Sequence, residues 1–204
     1  MLYKLSNNAC PRIVIFDVAG KTIAIGRPIE ARDLIDVKLI HALTHAHTQN
    51  RNRFLSQFSA TPERTRAWMS RIVNAKNQLL FLIEIEGKCV GHYGVIIENE
   101  NSAELDNSIL MDQDVPKGFM SHVENAILGF VFGYLLKNMA FGRVLSNNFA
   151  CVAMHQAAGL RLHRDEPLFG QTLENGDFLL ETSNVNNVEN AVAQLLHLSC
   201  LLYT

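Results

Sequence analysis

The stretch from Leu79 to Glu98 constrains the fold most. It reads LLFLIEIE up to Glu86, then Gly87-Lys88, then CVGHYGVIIE. Two β-rich runs flank a Glu-Gly-Lys turn, a pattern that predicts paired antiparallel strands rather than a helix. Other runs supply partners. Arg12–Val18 and Thr22–Gly26, separated by Ala19-Gly20-Lys21, predict a second hairpin that Arg27-Pro28 closes. Ala103–Met111, Phe141–Ser146, Leu160–Phe169 and Asp177–Ser183 are further strand candidates.

Helices punctuate these strands. Asp33 is a candidate cap for a helix running to Gln49, with Leu34, Val37, Ile40 and Leu43 along one side. Thr61-Pro62-Glu63 is a strong helix start: threonine satisfies a free N–H, proline needs none at the first position, and glutamate suits the dipole. A long, largely apolar helix is expected over Met120–Lys137, and another from Asn147 or Asn148 to Gly159. Residues 187–204 read as an amphipathic tail helix whose apolar face covers the domain or a second copy of the chain. Strands, helix, strand, helix and strands give an α/β (α+β) chain: a mixed sheet with helices on it.

With 204 residues, 48% hydrophobic and 19% charged, the chain suits a single domain spanning 1–204, with 1–21 as an N-terminal extension and 187–204 as the tail. A net charge of −2 with scattered basic residues gives no positive face for a nucleic acid. No apolar run reaches the roughly 20 residues that span a bilayer, and the start lacks a signal pattern, so no membrane partner and a cytoplasmic location are expected. Cys10, Cys89, Cys151 and Cys200 are far apart and read as free thiols. His41 and His45 lie four apart, a zinc-compatible spacing, with His47 nearby, but no third ligand at useful spacing follows, so no metal site is expected and a wet helix face is the reading. GxSxG, P-loop and GxGxxG motifs are absent.

The segment Gly118–Leu160 orders a loop glycine, a helix, a strand and a capped helix, and a loop feeding a helix start can hold a phosphate. From Thr22 to Ser183 the chain resembles the GNAT superfamily of N-acetyltransferases. That family carries Asn-x-x-Ala-x-x-x-Tyr-x-x-x-Gly-Phe, matched here by Asn148, Cys151, His155, Gly159 and Leu160. The Glu86-Gly87-Lys88 turn with Val90-Gly91, and Arg27-Pro28 with Asp33, are similar to its other landmarks. The phosphate loop departs: with Gly118 as its first glycine, Val115 and Met120 stand at the other two signature positions.

The resemblance implies a mostly antiparallel central sheet flanked by helices on both faces, with the tail helix additional. It implies acetyl transfer from acetyl-CoA to a primary amine by direct attack on the thioester. Leu110, Met111, Lys117, Gly118, Phe119, Met120, Ser121 and Asn148 would then hold the cosubstrate. His155 stands where the family places a tyrosine that protonates the leaving thiolate, and histidine can donate a proton near neutral pH. An alkyl ammonium of pKa about 10 must lose a proton before it attacks. His92, Glu104 and Asp106 are the candidate acceptors of that proton. Each also has a structural reading, as a hydrogen-bonded strand histidine or a solvated strand edge.

Asn147-Asn148-Phe149 and the aromatic-rich central helix are similar to the branch that acetylates nucleotide-linked amino sugars. The Phe54–Trp68 segment is similar to that branch and to ribosomal-protein N-terminal acetyltransferases. A small-molecule amine is the expected acceptor, and a ribosomal-protein N-terminus the alternative. A third reading is a non-catalytic GNAT-fold binding or assembly protein, with a possible homodimer through the C-terminal helix.

Overall fold

The computed structural model describes residues 11–182 and 191–201. Ten strands form one sheet: β1 Ile13–Phe16, β2 Thr22–Pro28, β3 Ser56–Gln57, β4 Gln78–Ile85, β5 Lys88–Ile97, β6 Ser102–Leu110, β7 Met139–Leu145, β8 Arg161–Thr172, β9 Phe178–Thr182 and β10 Ala193–Leu201. Their order is β1-β2-β4-β5-β6-β7-β10-β8-β9-β3. Every pairing is antiparallel except that of β6 with β7. The helices are α1 Val37–Asn50, α2 Pro62–Asn74, α3 Phe119–Gly129 and α4 Phe149–Ala157.

Alternation along the central strands decides which helices cover which face. Phe81, Ile83, Tyr93, Val95, Ala103 and Leu105 pack with Val123, Ile127 and Met154 of α3 and α4. Leu80 and Leu82 point the other way, onto Ile40, Leu43, Met69 and Ile72 of α1 and α2. The hairpin of β4 and β5 is buried on both faces, which explains its nearly unbroken apolar sequence.

Thr61 caps α2 as its sequence implies, its Oγ1 accepting from the Arg64 amide at 3.3 Å. Thr61→Ala is expected to lower unfolding free energy by about 1 kcal/mol in urea titration, and Thr61→Ser to stay within a few tenths. A null effect of the alanine would show that the cap contributes nothing.

Four expectations need correction. The tail expected as a helix over 187–204 is strand β10 from Ala193 to Leu201, inserted between β7 and β8; the rest of the tail lies outside the described residues, apart from 191–192. A strand there satisfies backbone groups on both neighbours. Its alternation buries Leu198, with Leu196 and Cys200 packed beside it, on one face while Leu195 joins a smaller cluster with Leu145, Leu168 and Leu180. The dimer and assembly readings thereby lose the apolar helix that motivated them. Residues 13–16 are not an extension but edge strand β1, paired with β2; residues 1–10 lie outside the described part.

Asp33 does not cap α1. It sits buried in a short 3-10 turn, Ala31–Ile35, where both its oxygens accept from the Arg27 guanidinium at 2.8 Å, while Arg27 Nε reaches Glu84 at 2.6 Å. Asp36 caps α1 instead, accepting from the Leu39 amide at 3.0 Å. Finally, the helix expected to reach Lys137 ends earlier. Past Gly129 it widens into a π-turn, Phe130–Tyr134, and Leu136 turns left-handed at φ +54°. The Lys137 ammonium then donates to the carbonyls of Asn99 and Glu100, tying this end to the β5–β6 turn.

Candidate active site

The sheet opens at one place. β6 and β7 run parallel in register from Ser102–Met139 to Leu105–Gly142 and pair no further, although β7 continues against β10 to Leu145. Past Leu105, β6 therefore has no strand partner on its β7 side. On its other side, β6 carries an extra residue against β5, between the pairs Asp106–Gly94 and Ile109–His92, and Asn107 there adopts φ +47°. This bulge bends β6 away from β7. Glycines make it possible: a Cβ on Gly91 would lie 2.6 Å from the Ile109 carbonyl oxygen, and one on Gly94 2.8 Å from that of Asp106.

The helix that follows this end of β6 in the chain, across residues 111–118, is α3. Gly118 occupies its N-cap at φ +84°, no side chain caps it, and a Cβ on Gly118 would meet nothing within 4 Å. Phe119 turns its ring into the core, leaving only its backbone at the helix start, and Lys117 is exposed. Phe119 and Ser121 already donate to the Pro116 and Gly118 carbonyls at 3.1 and 2.9 Å, which leaves the amides of Lys117, Gly118 and Met120, beneath open space, to suit a diphosphate. Asn148 caps α4, its Oδ1 accepting from the Cys151 amide at 3.4 Å. Met111 is less available than its position implies, because its amide already donates to the Val90 carbonyl at 2.8 Å. A larger cavity of about 650 Å³ lies between the β1–β2 turn, the β4–β5 turn and α3, but no residue of β6 or β7 lines it.

His155 is 3% exposed, and its ring packs against Gly142, whose Cβ position would be 2.9 Å from Nε2. Its Nδ1 lies 2.5 Å from Glu124 Oε1 on α3, and its Nε2 3.5 Å from the Cys151 thiol. Burial opposes a charge on this ring, but the hydrogen bonds of Cys151 and Glu124 and the charge of Glu124 outweigh it and push its pKa up to about 10. Its pairing with Glu124 thus favours the imidazolium form of the ring. Glu124 Oε2 and the Tyr93 hydroxyl are buried in the same region without a hydrogen-bond partner among the described residues.

The candidate proton acceptors occupy the opposite face. His92 is fully buried, and burial together with nearby His47 pushes its pKa down to about 3. It is neutral at physiological pH and a poor proton acceptor. Glu104 is locked by Arg143, which donates from Nε and Nη2 at 2.7 and 2.8 Å. Asp106, at the bulge, is only half-buried, and accepts from Asn107 Nδ2 at 2.5 Å. Burial and then Glu104 raise its pKa, which makes its carboxylate a better proton acceptor than a free aspartate.

A sequence profile of the acetyltransferase (GNAT) domain matches residues 26–161, more than half of the chain. The chain belongs to the GNAT family. As a GNAT enzyme it is an N-acetyltransferase that uses acetyl-CoA as cosubstrate. No curated protein has a matching sequence. Solved GNAT structures share the fold. An acetyltransferase from Bacillus anthracis has a TM-score of 0.67 at 16% identity, with 94% of this chain and 98% of that one covered. Spermidine N-acetyltransferase from Vibrio cholerae, in complex with CoA and spermine, gives 0.66 at 16%, covering 87% and 95%. The ribosomal L7/L12 α-N-protein acetyltransferase RimL, in complex with CoA, gives 0.69 at 13%, covering 92% and 97%.

Within this GNAT fold, the sequence reading missed several residues. Glu124 had a signal: it is the one carboxylate inside the apolar run Val123–Leu136 and its flank. Arg143 follows Gly142 in a strand where a cation needs a partner. His47, expected on a wet helix face, turns inward onto His92 at 5.4 Å between ring centres. Among the described residues, no group of three or more His, Cys, Asp or Glu is placed to hold a metal ion, and no helix is long and apolar enough to cross a membrane.

Proposed function

We propose that this GNAT enzyme transfers acetyl from acetyl-CoA to the primary amine of a small molecule, by direct attack on the thioester in the gap between β6 and β7. The observation that carries this reading is the end of β6–β7 pairing at Leu105–Gly142, in the strand whose following loop opens into the uncapped start of α3. Bound acetyl-CoA supplies the activated acyl group. The amides of Lys117, Gly118 and Met120 bind its diphosphate, those of Phe119 and Ser121 being already given to the Pro116 and Gly118 carbonyls, while Asn148 orients its arm and the unpaired backbone of β6 toward Leu110 faces the carbonyl. His155, held by Glu124 through Nδ1, donates from Nε2 to the departing thiolate. Asp106 accepts the proton that the ammonium must lose.

Calorimetry with acetyl-CoA is expected to show saturable binding, and Gly118→Val to weaken it by about tenfold, since valine is strained at positive φ and crowds the approach. No heat at millimolar acetyl-CoA would sink the reading. A nucleotide-linked amino sugar, spermidine and a serine-led peptide, offered as acceptors, separate the small-molecule from the protein-amine alternative.

A further inference from the structure

On the α1–α2 face a cavity of about 350 Å³ ends at Asn107, the bulge residue of β6. That volume suits a ring with short substituents. Its walls are aromatic. Phe54 stacks on His47 with ring centres 5.4 Å apart and planes at 19°; Trp68 stands edge-on to His47 at 4.9 Å. Burial pushes the His47 pKa down to about 4, so this wall is uncharged at neutral pH, and its Nε2 is buried without a partner among the described residues. Flat, neutral ring faces favour a planar group over a flexible aliphatic chain.

The charged rim is one-sided. Arg64 donates to both oxygens of Asp177, at 3.3 and 2.7 Å, and lies 4.4 Å over the Phe58 ring, so its charge is balanced. Arg71 also lines the cavity, is exposed, and forms no ion pair among the described residues. Among the described residues no carboxylate lines the cavity. A polycation would meet this net positive charge without compensation, whereas an anionic substituent finds a guanidinium made for phosphate or carboxylate.

We propose that the acceptor is a primary amine on a planar ring bearing an anionic group, the ring against Trp68 and Phe54, the anion on Arg71, and the amine directed past Asn107. This rests on the acetyl-transfer reading only for the fate of the amine; occupancy of the cavity is tested separately. Trp68 is the only tryptophan in the chain, so its fluorescence reports the cavity directly.

Titration with tyramine O-phosphate is expected to change Trp68 emission saturably, about tenfold more tightly than tyramine, as one charge-assisted contact implies. 4-(Aminomethyl)benzoate, the carboxylate arm, separates the two anion types: whichever binds more tightly identifies the source. Spermidine is expected to give no saturable change. Arg71→Gln should abolish the advantage of the anionic ligands while leaving tyramine affinity unchanged, and Arg71→Lys should restore part of it. Equal binding of tyramine and its phosphate, or tighter binding of spermidine, overturns the proposal. Failure of the two readings is distinguishable. Acetyl-CoA binding without any ring-ligand response, or a response without acetylation of the bound amine, removes this inference alone; a fluorescence response with no heat from millimolar acetyl-CoA removes the direct-attack reading alone.

Discussion

Glu124→Ala is expected to lower the unfolding free energy at neutral pH by about 3–5 kcal/mol, because it leaves the His155 imidazolium buried without its counter-charge. Both side chains are nearly inaccessible, so solvent cannot take over the lost partner. Replacing both, as Glu124→Leu with His155→Phe, should recover most of that loss, since paired burial of charge is no more stable than well-packed apolar groups. The pair also fixes a pH dependence. The folded-state pKa of His155 lies above its ordinary 6.5, at about 10, so its stabilising contribution is complete below about pH 6.5 and is lost as pH rises through about 10. Urea unfolding at pH 7 and pH 10 should show this decline in the wild type, and a much shallower one in the double variant. A single Glu124→Ala variant as stable as the wild type would mean the imidazole is neutral in the fold.

The second large effect is kinetic. Gly91→Val places a Cβ 2.6 Å from the Ile109 carbonyl oxygen, a backbone atom that can yield only by moving β6 at its bulge. A displacement approaching 1 Å at reacting groups costs about a hundredfold in rate. The acetyl-transfer kcat/KM should therefore fall by about that factor, while acetyl-CoA affinity, set mainly at the start of α3, changes little. Gly129→Ala is the control: a Cβ there meets nothing within 4 Å, and alanine in a helix is neutral or stabilising. Unchanged kcat/KM for Gly91→Val would show that the bulge does not position the chemistry.

Local features of this fold were legible from the sequence because their causes are local. The β4–β5 hairpin, the Thr61-Pro62 start of α2, the Gly118 start of α3 and the Asn148 cap of α4 each follow from a few neighbouring residues. What failed depended on distant partners. Ala193–Leu201 is apolar enough for either helix or strand, and only the edges of β7 and β8, about 25 to 60 residues earlier, decide it. Asp33 and Asp36 are equally good caps in isolation; Arg27 and Glu84 commit the first to an ion network. The site followed the same division. The spacing from Asn148 to His155 identified the helix, but the carboxylate that charges His155 comes from α3, and the arginine that removes Glu104 from contention comes from β7.

The place of β10 also orders events during synthesis. It is the last described strand to leave the ribosome, yet it bridges β7 to β8 and so joins the two halves of the sheet. Until it emerges, a nascent chain holds β1–β2–β4–β5–β6–β7 with a bare outer edge and a separate β8–β9–β3 ribbon. Such an edge is a template for wrong partners. Release truncated before Ala193 should therefore yield an aggregating product rather than a smaller enzyme.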